Sequence, residues 1–328
     1  MADAGGLWSV VLSGGEGTRL RPLVRQVTGE DRPKQYAKLL GPRSLLRQTL
    51  DRVALAGPAA RTVLVTLRRH TPYLTEEFAG SPEPPYVLVQ PEDRGTAAGI
   101  LYAAHWIAWR DPSATLAVFP SDHVILGEAT FMAHVTDLAR GLERGPDRLV
   151  LLGAQPTSPE ADNGWIEPAS PATCPDEYIR RVRRFWKTGA EPSGPRWPGA
   201  GCLASTGVMV ARAATLVRLG AEALPEMSAR LAGIQTFWDT NEQATALQQA
   251  FAGMPRAGFA RSVLEPYPER LAVSRLHRVS WYDLGQPHQV LEVLSRMRVR
   301  PAWAALPGRP SAGDIAPEPA EVAGSLAS

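Results

Sequence analysis

Glycines and basic residues follow the first apolar run of this chain in a pattern suited to binding phosphate groups. The run Leu7–Leu12 is typical of a buried strand. It leads into Ser13-Gly14-Gly15-Glu16-Gly17-Thr18-Arg19-Leu20-Arg21-Pro22-Leu23 and then Arg32-Pro33-Lys34-Gln35. A glycine-rich turn at a strand end exposes backbone N–H groups with no side chain in the way, and such donors bind polyphosphates. Arg19 and Lys34 add positive charge for the same phosphates.

Two better-known phosphate loops have different sequences. The glycine turn has no Gly-Lys-Ser or Gly-Lys-Thr ending, so it is not a Walker A loop. A dinucleotide fingerprint needs a third glycine where this chain has Leu20, which makes that interpretation weak. An ordinary strand-to-helix turn is the alternative for any short glycine cluster, but the full string is much longer than such a cluster.

Two aspartates lie in short segments that could hold a divalent cation. Asp122 belongs to Phe119-Pro120-Ser121-Asp122-His123, and Asp283 belongs to Trp281-Tyr282-Asp283-Leu284-Gly285. Mg²⁺ takes oxygen ligands and bridges phosphates, so two carboxylates and phosphate oxygens would make an adequate octahedral site. Each segment alone also fits a turn capped by aspartate. A shared metal site requires the fold to bring together two residues that are far apart in sequence.

Two other segments carry polar residues next to turns. The first, Gln90-Pro91-Glu92-Asp93-Arg94-Gly95-Thr96-Ala97, precedes a helical pattern that Thr96 could cap, leaving free N–H groups at its start. The second, Gly164-Trp165-Ile166-Glu167-Pro168, holds a carboxylate that can accept hydrogen bonds from two sugar hydroxyls. From the residues alone, a simple helix cap and a surface turn explain these segments as well.

The composition excludes several classes of protein. The 328 residues are enough for one large α/β domain or two smaller ones, and a hydrophobic content of 44% predicts a sizeable core. The formal net charge of +2 is too balanced for a nucleic-acid-binding surface. Cys174 and Cys202 are too few for a disulfide scaffold or a cysteine zinc site. Neither a signal peptide nor a membrane span is found, so we expect no membrane partner and a cytoplasmic location.

Apolar runs alternate with helical patterns in the first half of the chain. Strands are predicted at Leu7–Leu12, Thr62–Leu67, Tyr86–Val89, Thr115–Phe119 and Leu149–Leu152. Helices are predicted near Ser44–Ala56, Tyr73–Phe78, Thr96–Trp109 and Ala129–Leu142. This alternation implies a mostly parallel sheet, in which ligands bind beyond the carboxyl ends of the strands. The glycine turn, Arg94-Gly95-Thr96 and Ser121-Asp122-His123 each follow a predicted strand, so they can line one crevice.

The second half of the chain has a different organisation. It predicts strands at Tyr178–Trp186 and Ala204–Ala211 and a helix at Val290–Met297, with an irregular excursion at Gly189–Gly201. Residues 307–328 are rich in Pro, Ala, Gly and Ser and predict a disordered tail after a domain over 1–306. No repeat is visible, so an appended β-helix is not expected.

Together these strings resemble the signature of the sugar-1-phosphate nucleotidyltransferases. That signature is Gly-Gly-x-Gly-Thr-Arg-Leu-x-Pro-Leu followed by Pro-Lys, and Pro33-Lys34-Gln35 is similar to the mannose-1-phosphate guanylyltransferase branch. The resemblance runs from Leu7 to Leu294, with the motifs in the family's order. It implies a three-layer α/β/α, Rossmann-like, GT-A-like fold with a mostly parallel central sheet. Within it, residues 1–125 would bind the nucleotide and residues 126–306 the sugar phosphate.

The resemblance also implies a reaction and a role for each motif. GTP and mannose 1-phosphate would give GDP-mannose and pyrophosphate by in-line attack on the α-phosphate, with Mg²⁺ as cofactor. Arg19 and Lys34 would supply catalytic charge, and Asp122 and Asp283 would hold the metal. The nucleotide-binding residues would be Gly14, Gly15, Gly17, Thr18, Arg94, Gly95 and Thr96. The sugar-binding residues would be Glu167, Lys187 and Ser205. The oligomeric state is left open, a homo-oligomer included.

Two positions depart from the family's pattern on the sugar side. The family has Phe-x-Glu-Lys-Pro, whereas Phe185-Trp186-Lys187 places the lysine one position early. On a strand, that shift turns the side chain to the opposite face, so either a bulge restores it or its charge is lost from the site. The family also has Asn where this chain has Ser205, whose shorter side chain could reach a sugar–metal site only through water.

Three alternatives are compatible with these residues. The first is the same chemistry on another sugar phosphate, such as glucose 1-phosphate. The second is a cytidylyltransferase of the isoprenoid pathway, which also has a glycine loop and Pro-Lys-Gln but lacks the string Thr18–Leu23 and the late Trp281-x-Asp283 element. The third is a non-catalytic paralogue that binds a sugar nucleotide and regulates a partner enzyme, an interpretation motivated by Lys187 and Ser205.

Overall fold

The computed structural model of this protein describes residues 6–79, 81–145, 147–156, 164–169, 179–187, 201–301 and 303. Its strands are β1 (Leu7–Leu12), β2 (Thr62–Leu67), β3 (Tyr86–Gln90), β4 (Thr115–Pro120), β5 (His123–Leu126), β6 (Leu149–Ala154), β7 (Trp165–Pro168), β8 (Ile179–Trp186), β9 (Leu203–Arg212), β10 (Leu271–Arg275) and β11 (Ser280–Asp283). Its α-helices are α1 (Arg21–Thr28), α2 (Leu45–Val53), α3 (Thr71–Glu77), α4 (Thr96–Arg110), α5 (Glu128–Arg144), α6 (Ala213–Ala223), α7 (Pro225–Ala232), α8 (Gln243–Phe251) and α9 (Pro287–Met297).

The central sheet is mostly parallel, as the alternation of strands and helices predicts. Its strand order is β3-β2-β1-β4-β9-β6-β10-β8-β7. Only β8 and β9 oppose the common direction among the described strands: β9 runs antiparallel to β4 and β6, and β8 to β10 and β7. The strands β2 and β6 are buried along their whole length, which explains why they appear in the sequence as continuous apolar runs.

Helices cover both faces of this sheet and form the outer two of three layers. On one face α4 packs with α6 and α7. Its core includes Tyr102, Phe251 and Phe259. On the other face α2, α3 and α5 pack on β1, β2 and β4, with Phe119 and Phe131 in the core. The α/β/α class is therefore confirmed. Helix α4 is buried between the sheet and helices α6 and α7, which explains why it is apolar nearly all round.

A small second sheet lies next to the ends of β1 and β4. In it β5 and β11 pair antiparallel, with His123 opposite Asp283 and Val124 opposite Tyr282. A third apolar cluster joins this sheet to α1 and α9 and includes Val124 and Leu284. This sheet brings the two aspartate segments together, although Asp283 follows His123 by 160 positions in the sequence.

The strands and helices predicted in the first half of the chain are confirmed to within about three residues at their ends. In the second half, the strand at Ala204–Ala211, the helix at Val290–Met297 and the part of Tyr178–Trp186 from Ile179 onward are also confirmed. The sequence analysis missed β5, β7, β10, β11 and helices α1 and α6 to α8, because short or buried elements carry little periodicity. The proposed excursion at Gly189–Gly201 lies almost wholly outside the described residues, and the proposed tail at 307–328 lies wholly outside them.

One buried histidine on α4 predicts a loss of stability in acid. His105 is 8% exposed and its Nε2 lies 3.2 Å from the Ser228 hydroxyl oxygen. Burial lowers the pKa of His105 to about 4. Below the ordinary histidine pKa the unfolded chain binds a proton that the folded chain does not, so stability falls with pH until about pH 4.

We expect this histidine to contribute about 2 kcal/mol to the stability lost between pH 7 and pH 5. Urea unfolding at both pH values, for the wild type and His105→Gln, measures the contribution. The variant should lose about 2 kcal/mol less than the wild type over this interval. An equal loss in both proteins would show that His105 does not cause the effect.

No helix in the described part of the chain has both the length and the apolar character needed to cross a lipid bilayer.

Candidate active site

The glycine turn begins where β1 ends and crosses the carboxyl end of the central sheet. The Ser13 N–H donates to the Val65 carbonyl at 2.8 Å, which ties the turn to β2. Gly17 has φ 59°, and a Cβ added there would lie 3.0 Å from Cγ of Lys34. Glycine is therefore needed at position 17 both for the left-handed backbone and for the approach of Lys34.

Lys34 brings a buried positive charge to the centre of the crevice. It begins a single 3₁₀ turn after Pro33 and is 6% exposed. Its Nζ donates to the Leu284 carbonyl at 2.6 Å. The same Nζ lies 3.2 Å from Oδ2 of Asp122 and 3.7 Å from Oδ1 of Asp283. Three segments that are distant in sequence therefore meet at one ammonium group.

The pairing of β5 with β11 explains how the two aspartates converge. Asp122 immediately precedes β5, and Asp283 ends β11 opposite His123. Burial alone would raise the pKa of Asp122, but the positive charge of Lys34, and that of His123 when it is protonated, hold it below its usual range. Asp122 is therefore ionised at neutral pH. The fold therefore brings Asp122 and Asp283 together, as a shared metal site requires. The metal-binding role of the pair stays a prediction.

His123 is a member of this cluster to which the sequence analysis gave no role. Its Nε2 lies 3.7 Å from carboxylate oxygens of both Asp122 and Asp283. Trp281 donates its indole N–H to Nδ1 of His123 at 3.2 Å. Because Nδ1 accepts this bond, Nε2 carries the imidazole proton and points it toward the two carboxylates.

The two carboxylates fit a divalent cation that is shared with a nucleotide. Among the described residues, no cluster of three or more His, Cys, Asp or Glu side chains could hold a metal ion. Asp122 and Asp283 already converge on a cation, the Lys34 ammonium, so positive charge is stable between them. Two carboxylates leave most positions of an octahedral Mg²⁺ shell for phosphate oxygens and water. The donor set is therefore suited to a metal that arrives with its substrate.

Arg19 lies against the same cluster from the glycine turn. A Cβ added at Gly285 would lie 3.2 Å from Nη2 of Arg19, so the guanidinium covers the glycine that follows Leu284. Glycine at 285 gives the guanidinium this room. The structure therefore brings Arg19 and Lys34 to opposite ends of one short segment, 283–285.

The segment that holds the predicted nucleotide-binding residues Arg94, Gly95 and Thr96 is fixed against residues 256–259. The Ala257 N–H donates to the Arg94 carbonyl at 3.0 Å, and the Ala97 N–H donates to the Ala257 carbonyl at 3.1 Å. The Thr96 hydroxyl accepts from the Phe259 N–H at 2.9 Å. The prediction that Thr96 caps α4 is wrong, since Gly95 is the N-cap residue and no side chain caps the helix. Nucleotide binding by Arg94, Gly95 and Thr96 stays a prediction.

Gly95 permits the close approach of this segment to Ala257. Gly95 has φ 84°, and a Cβ there would lie 2.3 Å from the Ala257 carbonyl oxygen. We expect Gly95→Ala to lower the free energy of unfolding by about 2 kcal/mol or more, because it combines backbone strain with a clash. Gly258→Ala is the matched control, since nothing lies within 4 Å of its added Cβ. Equal urea midpoints for the two variants would contradict this explanation.

The predicted sugar side is built on β7 and the two strands that pair with it. Strand β7 pairs with β8 and β9, so Glu167, Lys187 and Ser205 lie on or next to neighbouring strands. Glu167 accepts from Arg183 at 3.1 Å. Ser205 is 4% exposed, and its hydroxyl accepts from the Gly207 N–H at 3.4 Å. The structure does not test the sugar-binding roles of these residues.

Lys187 lies directly after β8, and its role at the sugar phosphate stays a prediction. Burial lowers the pKa of Lys187 most, Arg261 lowers it further, Asp283 raises it and Arg19 lowers it. Of these groups, only the Asp283 carboxylate favours the charged form of Lys187. A bulge does lie in β8, between residues 182 and 184. Because it precedes Phe185, it cannot change the face on which Lys187 lies relative to Phe185. Lys187 instead follows the last residue of β8, where alternation no longer applies.

Several residues around the turn were not singled out from the sequence. Gln35 and Tyr36 donate hydrogen bonds to backbone carbonyls of the turn. Nε2 of Gln35 donates to those of Ser13 and Gly15, and the Tyr36 hydroxyl donates to that of Ser13. Gln90 is 5% exposed, and its Oε1 has no hydrogen-bond partner among the described residues. A Cβ added at Gly14 would lie 3.6 Å from Nε2 of Gln90. The signal for Gln35 was available, because it follows Lys34 directly in the Pro-Lys-Gln string.

A model of the nucleotidyl transferase family matches residues 8–298. The chain belongs to that family. The match covers the glycine turn, Lys34, both aspartates and the predicted sugar side. This confirms the resemblance to sugar-1-phosphate nucleotidyltransferases that the motifs carry.

Curated relatives and a solved structure agree with this family. The xanthan biosynthesis protein XanB of Xanthomonas campestris pv. campestris is 30% identical over 292 residues, 87% of this chain and 58% of the relative. A mannose-1-phosphate guanylyltransferase of Sinorhizobium fredii is 34% identical over 160 residues, 48% of this chain and 30% of the relative. This nucleotidyltransferase chain therefore spans less than two thirds of the length of these relatives.

The fold agreement extends over most of the chain. A crystal structure from Thermus thermophilus, described as a mannose-1-phosphate geranyltransferase, superimposes with a TM-score of 0.70 at 25% sequence identity. The superposition covers 90% of this chain and 79% of the other.

Proposed function

We propose that this nucleotidyltransferase transfers the guanylyl group of GTP to mannose 1-phosphate, forming GDP-mannose and pyrophosphate. The observation that carries the proposal is the meeting of Lys34, Asp122 and Asp283 beside the glycine turn. The choice of base and sugar rests on the Pro33-Lys34-Gln35 string and on the relative from Sinorhizobium fredii, which is named a mannose-1-phosphate guanylyltransferase.

The chemistry needs positioning and charge rather than a protein nucleophile. A phosphate oxygen of mannose 1-phosphate attacks the α-phosphorus in line, a new P–O bond forms, and the bond to the β-phosphate oxygen breaks. The glycine turn would donate its N–H groups to the triphosphate. Arg19 and Lys34 would balance the negative charge that builds up on the leaving pyrophosphate. Thr18 would complete the phosphate contacts, and Arg94, Gly95 and Thr96 would hold the base and ribose.

Mg²⁺ is the cofactor we propose, and Asp122 and Asp283 would hold it. When bound, it neutralises charge on the phosphate oxygens. The carboxylates also hold the Lys34 ammonium in place through contacts of 3.2 and 3.7 Å. Lys34 is thereby oriented before any substrate arrives.

The sugar phosphate would bind across β7, β8 and β9. Glu167 would accept hydrogen bonds from sugar hydroxyls with the oxygen that Arg183 leaves free, and Lys187 would contact the sugar phosphate. Ser205 would act through water, because its buried hydroxyl is short. We propose the division at about residue 125 and a cytoplasmic location on the same basis, since nucleoside triphosphates are cytoplasmic substrates.

A matrix of substrates tests the proposal. Pyrophosphate release is measured with Mg²⁺ for four nucleoside triphosphates against several sugar 1-phosphates, including those of mannose and glucose. We expect GTP with mannose 1-phosphate to be the preferred pair. Another preferred pair would replace the named substrates and keep the mechanism. A folded protein that binds GDP-mannose but transfers nothing would overturn the enzymatic proposal and favour a regulatory paralogue.

A further inference from the structure

The glycine turn presents a row of free backbone donors. In the described part of the chain, the N–H groups of Gly14, Gly15, Glu16 and Gly17 donate no hydrogen bond. Successive free N–H groups of this kind form a concave site for anions. Such a site is effective only if the peptide planes are fixed with their N–H groups turned toward the ligand.

Gln35 bonds to the opposite side of the same peptides. Its Nε2 donates to the Gly15 carbonyl at 2.7 Å and to the Ser13 carbonyl at 3.2 Å. Gln35 is 2% exposed, so water does not compete for these bonds. Both partners are carbonyl oxygens, so the amide nitrogen must face them.

Peptide geometry connects these two observations. In a trans peptide the C=O of one residue and the N–H of the next point in opposite directions. Fixing the Ser13 carbonyl therefore directs the Gly14 N–H away from Gln35, and fixing the Gly15 carbonyl directs the Glu16 N–H the same way. The Gln35 amide thus helps to direct the Gly14 N–H and, among the described residues, alone directs the Glu16 N–H.

We propose that Gln35 is a positioning residue that turns the Gly14 and Glu16 N–H groups toward the triphosphate. The inference deepens the proposed function and rests on it for the identity of the ligand. It also gives the Pro-Lys-Gln string a physical meaning. Lys34 supplies charge to the phosphates, and the next residue along the same 3₁₀ turn aligns the backbone donors.

Tyr36 also supports the turn, so a Tyr36 variant can serve as the control for the positioning role of Gln35. Its hydroxyl donates to the Ser13 carbonyl at 3.1 Å and lies 3.0 Å from the Thr66 hydroxyl. The Ser13 carbonyl thus has another donor besides Gln35, and Nδ1 of His70 also lies 3.4 Å from it, whereas Gln35 alone donates to the Gly15 carbonyl among the described residues. Tyr36→Phe removes a buried bond under the turn and leaves both Gln35 bonds in place.

Binding of GTP without sugar phosphate, measured by calorimetry, tests the inference. We expect Gln35→Met, which keeps the volume and loses the donor, to weaken GTP binding by about tenfold or more. Tyr36→Phe should weaken it by about threefold at most, and mannose 1-phosphate binding should change little in either variant. Equal GTP affinity in Gln35→Met and the wild type, or an equal loss in Tyr36→Phe, would overturn it.

Hydrogen exchange of the wild type keeps the test valid if Gln35→Met does not fold. GTP or inorganic tripolyphosphate should protect the amides of Gly14 and Glu16 from exchange, and unchanged exchange in the bound protein would contradict the inference. Neither readout needs turnover. A protein that binds GTP with these amides protected but transfers nothing would refute the proposed reaction and leave the role of Gln35 standing.

Discussion

Asp122→Asn is expected to lower the rate of nucleotidyl transfer by about a hundred- to a thousandfold while the fold is retained. The substitution removes one of the two carboxylates that face Lys34 and that would hold Mg²⁺. The fold is retained because Lys34 keeps its bond to the Leu284 carbonyl and its contact with Asp283. Pyrophosphate release at saturating substrate measures the effect, with thermal unfolding as the check on structure.

A surface aspartate provides the control for this variant. Asp137 on α5 makes an exposed ion pair with Arg140, and Asp137→Asn should leave turnover within about twofold of the wild type. Near-normal turnover in Asp122→Asn would contradict the metal assignment.

Lys34→Gln is expected to abolish turnover and to destabilise the protein as well. The substitution leaves two carboxylates facing each other without the ammonium between them. Breaking a fully buried ion pair costs about 3–5 kcal/mol. The Asp122 side chain is 29% exposed, so screening reduces the expected loss to about 2 kcal/mol. Urea unfolding and pyrophosphate release measure the two effects.

Two further lysine variants show which property of Lys34 matters. Lys34→Arg keeps the charge but replaces a compact ammonium with a planar guanidinium, so it should recover stability better than turnover. Lys38→Gln is the control, because Lys38 is an exposed lysine four residues along the chain. Full activity in Lys34→Gln would remove this residue from the mechanism, and loss of activity in Lys38→Gln would point to a general charge effect.

Local sequence patterns predicted the parts of the site that depend on neighbouring residues. The apolar run of β1 followed by glycines predicted a turn at a strand end, and the structure has the turn there. Phosphate binding by this turn stays a prediction. The contact of Lys34 with both aspartates could be stated only as a requirement. It depends on the register of β5 against β11, which two four-residue strands do not reveal in sequence.

The errors and omissions have physical causes of the same kind. Thr96 has the residue type of a helix cap, but its hydroxyl bonds to Phe259, which is 163 positions away. The alternation of side chains along a strand could not show which face Lys187 occupies, because β8 ends at Trp186. The Pro-Lys-Gln string marks the position of Gln35 but not its role, since its partners are backbone carbonyls. In each case a tertiary contact decides the role of the side chain.

One measurement tests the central claim that nucleotidyl transfer occurs at the centre formed by Lys34, Asp122 and Asp283. GTP labelled at the α-phosphate is mixed with excess protein and mannose 1-phosphate, and the label is followed through a single turnover. We predict that the wild type moves the label into the nucleotide sugar. Asp283→Asn should bind GTP but transfer the label about a hundred- to a thousandfold more slowly. Equal rates of transfer in the two proteins would contradict the account.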